Sequence, residues 1–181
     1  MAAVCVFCAS SRVIEQRWFD LAHEVGAGLG RRGHTLVSGG GRVGMMGAVG
    51  AGARSVGAHT LGIIPQSLVD LEIADTDSDE LLITDGMSGR KSLMIDKSDA
   101  FLALPGGLGT LDELFEVWTT ATMRLHTKPV VLLDVDGFYT GLLDWLGGLV
   151  APRFVLPPAI DLLHVAGTVD GALDVLDAVT S

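Results

Sequence analysis

Short apolar runs alternate with longer stretches whose apolar residues recur every three or four positions, from one end of the chain to the other. Residues 3–8 (Ala-Val-Cys-Val-Phe-Cys) are apolar without a break, as in a strand covered on both faces. Similar runs at 34–38, 59–64, 81–84, 100–104, 129–133 and 162–165 predict six more strands. Between them, helical spacing predicts helices over 14–32, 45–55, 87–97, 110–124, 138–149 and 169–179. In the first helix Phe19, Ala22, Val25 and Leu29 share a face, and Gly33 ends it. The polar, acidic stretch 66–79 is expected to be a loop with a short helix.

Strand–helix alternation of this kind predicts an α/β protein: a Rossmann-like three-layer sandwich, a parallel sheet with helices on both faces. The length of 181 residues fits one domain spanning 1–181. Ligands on such sheets bind beyond the carboxyl ends of the strands. The glycine-rich stretches follow the second and fifth strands, so both belong on that edge.

Composition narrows the chemistry. Apolar residues make up 49% and charged residues 19%, which excludes a disordered chain. Net charge is −10, so no basic stripe for nucleic acid is expected and a bound phosphate must be held by local donors. The start lacks a basic leader and no apolar stretch of bilayer length is uninterrupted, so a cytoplasmic location without membrane contact is expected. Cys5 and Cys8 form a CxxC inside a strand, which sends them to opposite faces as buried structural thiols. The five histidines are scattered, so no metal site is expected.

Two motifs carry chemistry. In Ser38-Gly39-Gly40-Gly41-Arg42-Val43-Gly44-Met45-Met46-Gly47 a strand meets a helix, and Gly39, Gly40, Gly41 and Gly44 let an anion approach the backbone. Gly39, Gly41 and Gly44 satisfy GxGxxG, but this is the second βα unit and no acid occurs from residue 48 to 69 to hold ribose hydroxyls. A dinucleotide fingerprint is therefore rejected. The second motif is Pro105-Gly106-Gly107-Leu108-Gly109-Thr110-Leu111-Asp112-Glu113. Three glycines expose donors there, and Thr110 with Glu113 has capping-box spacing. Arg90-Lys91, near a helix start where cations are disfavoured, is either a solvated face or a functional pair.

Together, GGGxxGxMG (Gly39 to Gly47) and PGGxGTxxE (Pro105 to Glu113) resemble the LONELY GUY family. The opening Val6-Phe7-Cys8-Ala9-Ser10-Ser11, Arg90-Lys91 and Leu125-His126-Thr127-Lys128-Pro129-Val130 extend the resemblance over nearly the whole chain. It implies a homodimeric hydrolase without a cofactor, cleaving N6-modified adenine from ribose 5-phosphate in cytokinin riboside 5′-monophosphates. It implies a catalytic pair at Arg90 and Glu113. It implies nucleotide-binding positions at Glu72, Arg90, Lys91, Gly106, Gly107, Leu108, Gly109, Thr110, Leu111, Asp112 and Thr119. Trp118 and the apolar helices around it are a candidate dimer surface. Hydrolysis of plain AMP, a non-catalytic nucleotide carrier, and a pyridoxal-dependent decarboxylase using Lys91, Lys97 or Lys128 are the alternatives.

Overall fold

The computed structural model describes residues 1–71 and 73–180. Its seven strands form one parallel sheet. In chain order they are β1 (Ala3–Phe7), β2 (Thr35–Ser38), β3 (Thr60–Pro65), β4 (Glu80–Thr84), β5 (Ala100–Ala103), β6 (Val130–Leu133) and β7 (Leu163–Ala166). The spatial order is β4-β3-β2-β1-β5-β6-β7. The chain therefore builds outward from β1 to one edge, returns to the other side of β1, and builds outward again. In register, Val4 of β1 faces Leu36 of β2 on one side and Ala100 of β5 on the other. The reversal between β1 and β5 is the switch point, where a crevice opens beyond the strand ends.

The helices are α1 (Gln16–Arg31), α2 (Gly44–Ser55), α3 (Gln66–Val69), α4 (Met87–Asp96), α5 (Leu108–Thr122), α6 (Thr140–Gly148), α7 (Pro157–Ile160) and α8 (Val169–Thr180). The three-layer arrangement follows from strand alternation. Val4, Val6 and Cys8 pack with α1, α2 and α8, whereas Cys5 and Phe7 pack with α4, α5 and α6. The two cysteines are free and buried on opposite sides of the sheet. Among the described residues no helix is long and apolar enough to cross a membrane.

Two expectations change. The chain forms a short α7 where none was predicted. Trp118 is not a surface residue: it is 6% exposed and donates through Nε1 to the Ala159 carbonyl at 2.6 Å. Its ring serves the core beneath α7 instead of a partner. Glycines within the helices serve close packing. A Cβ on Gly26 of α1 would strike the Val49 carbonyl, and one on Gly52 of α2 the His23 carbonyl, so these two helices touch backbone to backbone.

Candidate active site

The glycine run after β2 is a tightly held loop. Gly40 and Gly44 have φ of +70° and +64°, a left-handed conformation that side chains resist. Gly44 also lies against the backbone of Ala9 and Ser10, where a Cβ would collide. Met45 donates its amide to the Ala9 carbonyl at 2.9 Å, which ties the start of α2 to the loop after β1. The loop's own amides have acceptors within the chain: Gly40 reaches Ser38 Oγ, Gly41 the Met46 sulfur and Arg42 the Ile73 carbonyl. These three amides are spent on internal bonds that organise the loop.

The junction after β5 is different. α5 begins at Leu108, two residues before the expected start, with Gly107 as N-cap and no side chain capping it. Thr110 is consequently inside the first turn and 3% exposed, beneath Gly106. The anticipated capping box between Thr110 and Glu113 does not form, because both residues are already helical. The first amides of α5 have no intrahelical acceptor, and the positive end of the helix dipole points the same way. Cβ atoms on Gly107 and Gly109 would meet nothing within 4 Å. No contact within the chain calls for glycine at either position.

The second junction opens on a cleft of about 280 Å³, lined by Ala9, Ser11, Ile14, Trp18, Gly106 and Phe138 among others, to which the first junction contributes Met45 of α2. Trp18 and Phe138 pack edge to face with ring centres 5.5 Å apart, and Arg17 stacks 4.2 Å above the Trp18 ring. The cleft thus combines an apolar, aromatic wall with a helix N-terminus suited to an anion.

Arg90 is buried, 5% exposed, on the first turn of α4. A solvated face is thereby ruled out. Its Nε donates to the Ile63 carbonyl at 3.1 Å and Nη2 to the Gly39 carbonyl at 3.1 Å, while Nη1 lies 3.4 Å from Glu113 Oε1. Glu113 lies on α5 about 7 Å along the axis from its start. Its carboxyl is pushed up to about 7, chiefly by burial; Arg90 opposes that rise, as does Lys91, and Asp112 and Glu116 add to it. Glu113 borders a hollow of about 10 Å³ with Phe7, Lys91 and Met94, separate from the larger cleft. The Gly39 carbonyl holds Arg90, and the loop it begins leads into α2, whose Met45 lines the cleft.

Lys91 pairs with Asp112 at 3.0 Å and Glu116 at 2.5 Å. These carboxylates raise its pKa and hold it as an ammonium. Leu108, Gly109 and Asp112 are exposed at the mouth of the junction, and Leu111 is half-buried. Thr119 stands exposed further along α5, away from the cleft-lining residues. Glu72 lies outside the described residues. Sequence reasoning missed the Trp18–Phe138 wall: the two are far apart in the chain, and only the crevice brings them together.

Such a sheet, with glycine-rich strand-to-helix junctions meeting at its switch point, defines a Rossmann-like α/β protein of the nucleotide-site type. The family described as "possible lysine decarboxylase" matches residues 46–176. A cytokinin riboside 5′-monophosphate phosphoribohydrolase of Mycobacterium tuberculosis is 49% identical over 170 residues, covering 94% of this chain and 90% of the relative. One from Arabidopsis thaliana is 42% identical over 165 residues, covering 91% and 77%. The chain belongs to this family, the LONELY GUY family. Two solved structures share the fold. The molybdenum cofactor binding protein of Rippkaea orientalis has a TM-score of 0.76 at 21% identity, covering 99% of this chain and 97% of that one. The molybdenum cofactor carrier protein of Chlamydomonas reinhardtii has a TM-score of 0.76 at 24% identity, covering 98% and 97%.

Proposed function

We propose that the protein hydrolyses the N-glycosidic bond of cytokinin riboside 5′-monophosphates, releasing the free base and ribose 5-phosphate. The observation that carries this reading is the buried Arg90–Glu113 pair at 3.4 Å beside the N-terminus of α5. The 5′-phosphate binds the amides that open α5, with Gly107 and Gly109 leaving room for its oxygens. From there the anomeric carbon is within reach of Glu113, one and a half turns into the same helix.

Cleavage of the bond between the base and C1′ leaves an oxocarbenium-like sugar. The Glu113 carboxylate stabilises that positive charge and orients a water, whose oxygen bonds to C1′. The departing base takes the electron pair of the broken bond and the proton that the attacking water gives up. Arg90 holds the carboxylate in place and faces the developing negative charge. The phosphate supplies binding energy remote from the reacting bond.

Pyridoxal phosphate, implied by the decarboxylase description, does not suit the residues present. A Schiff base needs a neutral amine, and Lys91 is fixed as an ammonium by two carboxylates. Lys97 is exposed at the end of α4 and does not line the cleft, and Lys128 donates to the Ile95 carbonyl at 2.6 Å in a structural role.

A homodimer is part of the proposal; exposed Leu108 and Met87, close to the pair, are apolar surface for a second copy to cover. Incubation with an isopentenyl-adenine nucleotide, its nucleoside and plain AMP, scoring free base and ribose 5-phosphate, tests the function. Turnover of the nucleotide far above the nucleoside is expected. Binding of nucleotide without release of base favours a carrier, and equal turnover of nucleotide and nucleoside removes the phosphate anchor.

A further inference from the structure

Residues 73–75 lie across the glycine loop and are joined to it by two backbone hydrogen bonds that form one antiparallel bridge. Arg42 donates its amide to the Ile73 carbonyl at 2.8 Å, Asp75 donates its amide to the Gly40 carbonyl at 2.8 Å, and Gly41 forms an antiparallel bridge with Ala74. The crossing segment is fixed in turn by an ion pair. Arg54 of α2 donates through Nη1 to Asp75 Oδ2 at 2.9 Å, with the two side chains 23% and 9% exposed. The other carboxylate oxygen accepts the Asp77 amide at 3.3 Å. Gly50 makes room for the pair: a Cβ there would stand 3.0 Å from Asp75 Oδ2 and 3.1 Å from Arg54 Nη1.

The loop held this way ends at Gly39, whose carbonyl accepts from Arg90. A continuous run of contacts therefore leads from Arg54 through Asp75, Gly40 and Gly39 to Arg90 and Glu113. Neither Arg54 nor Asp75 lines the cleft. A nearly buried ion pair returns little net stability after desolvation, so its value here is geometric.

We propose that Arg54 and Asp75 are a positioning pair for the reaction, clamping residues 73–75 on the glycine loop so that the Gly39 carbonyl keeps Arg90 against Glu113. The inference rests on Arg90 and Glu113 being the catalytic pair. Arg90 and Lys91 of α4, Asp112 and Glu116 of α5, and Cys5 and Cys8 from the first strand's run all influence or face Glu113. Of these, Arg90 is the one the clamp reaches through the Gly39 carbonyl.

The test is Asp75→Asn, which keeps the shape and removes the charge. Loosening of the glycine loop predicts faster amide exchange at Arg42 and Asp75. It predicts a fall in kcat of about 10- to 100-fold with a smaller change in KM. The pH–rate limb due to Glu113 moves to higher pH as the opposing guanidinium recedes. Loss of the Asp75 charge acting directly on Glu113 moves that limb the other way, so the direction separates the two causes. Arg54→Lys, which keeps a cation, retains more turnover than Asp75→Asn, and it replaces Asp75→Asn in every readout if that variant does not fold. Unchanged kcat and an unmoved limb, or a lower melting temperature with normal kcat per folded molecule, overturns the proposal. If the wild-type protein releases no base, the functional reading fails, and amide exchange alone decides whether the clamp exists.

Discussion

The Gly39 carbonyl and the Arg90 guanidinium are hydrogen-bonded at 3.1 Å, and a Cβ at position 39 would stand where the guanidinium is. The absence of a side chain in the first glycine motif thus creates the berth for a buried cation on a helix 51 residues later. Gly39→Ala should displace Arg90 from Glu113. Activity falls about 100-fold, and overpacking costs about 1–3 kcal/mol of stability. Steady-state kinetics and a urea titration on the same preparation check both.

Gly107→Ala should behave in the opposite way. No atom lies within 4 Å of a Cβ there, and φ of −99° is not the left-handed region that requires glycine. Stability stays within about 0.5 kcal/mol of the wild type. The methyl group obstructs the phosphate, so KM for the nucleotide rises about tenfold, the loss of one charge-assisted hydrogen bond. An unchanged KM would move the phosphate elsewhere.

Glu113→Gln keeps the size of the side chain and removes its charge. Loss of electrostatic stabilisation lowers kcat by about 100- to 1000-fold, with nucleotide binding by calorimetry little changed. Because burial lifts the carboxyl to about 7, the wild-type rate should climb with pH through that value as the carboxylate forms. A rate flat from pH 5 to 9 argues against ionised Glu113 as the active form.

The same group sets a cost in stability. A carboxyl whose folded pKa is raised from 4.5 to about 7 favours the folded state at low pH. Between those two values the unfolded chain has released its proton and the folded chain has not, so stability falls as pH rises. Above pH 7 the penalty is complete, on the order of 3 kcal/mol. Glu113→Gln should therefore melt higher than the wild type at pH 8, with the gap closing toward pH 5. Differential scanning calorimetry at the two pH values measures it.

The order of strands and helices was legible because strands covered on both faces are unbroken apolar runs, and each glycine junction marks a carboxyl end. What was not legible depended on contacts far apart in sequence. Arg90 sits in a locally polar stretch, and its burial is dictated by Gly39, Ile63 and Glu113, none of them near it in the chain. Thr110 and Glu113 have the spacing of a helix cap, but Gly107 takes that place and moves the start two residues earlier. The glycines of α1 and α2 fall within helices the pattern predicts, but what they meet was not legible: Gly26 and Gly52 allow two helix backbones to touch. Trp118 has the look of a surface aromatic, and α7, which the hydrophobic pattern did not announce, covers it.

Arg90 touches Ile63 and Gly39, which belong to the half of the sheet laid down first, and Glu113, which belongs to the half laid down second. One guanidinium is therefore a crossbar between halves that otherwise meet along β1 and β5, where α1 packs on α8, and at the Trp18–Phe138 wall. Ligands must enter from the open rim, since prying the two halves apart would first strand a buried charge.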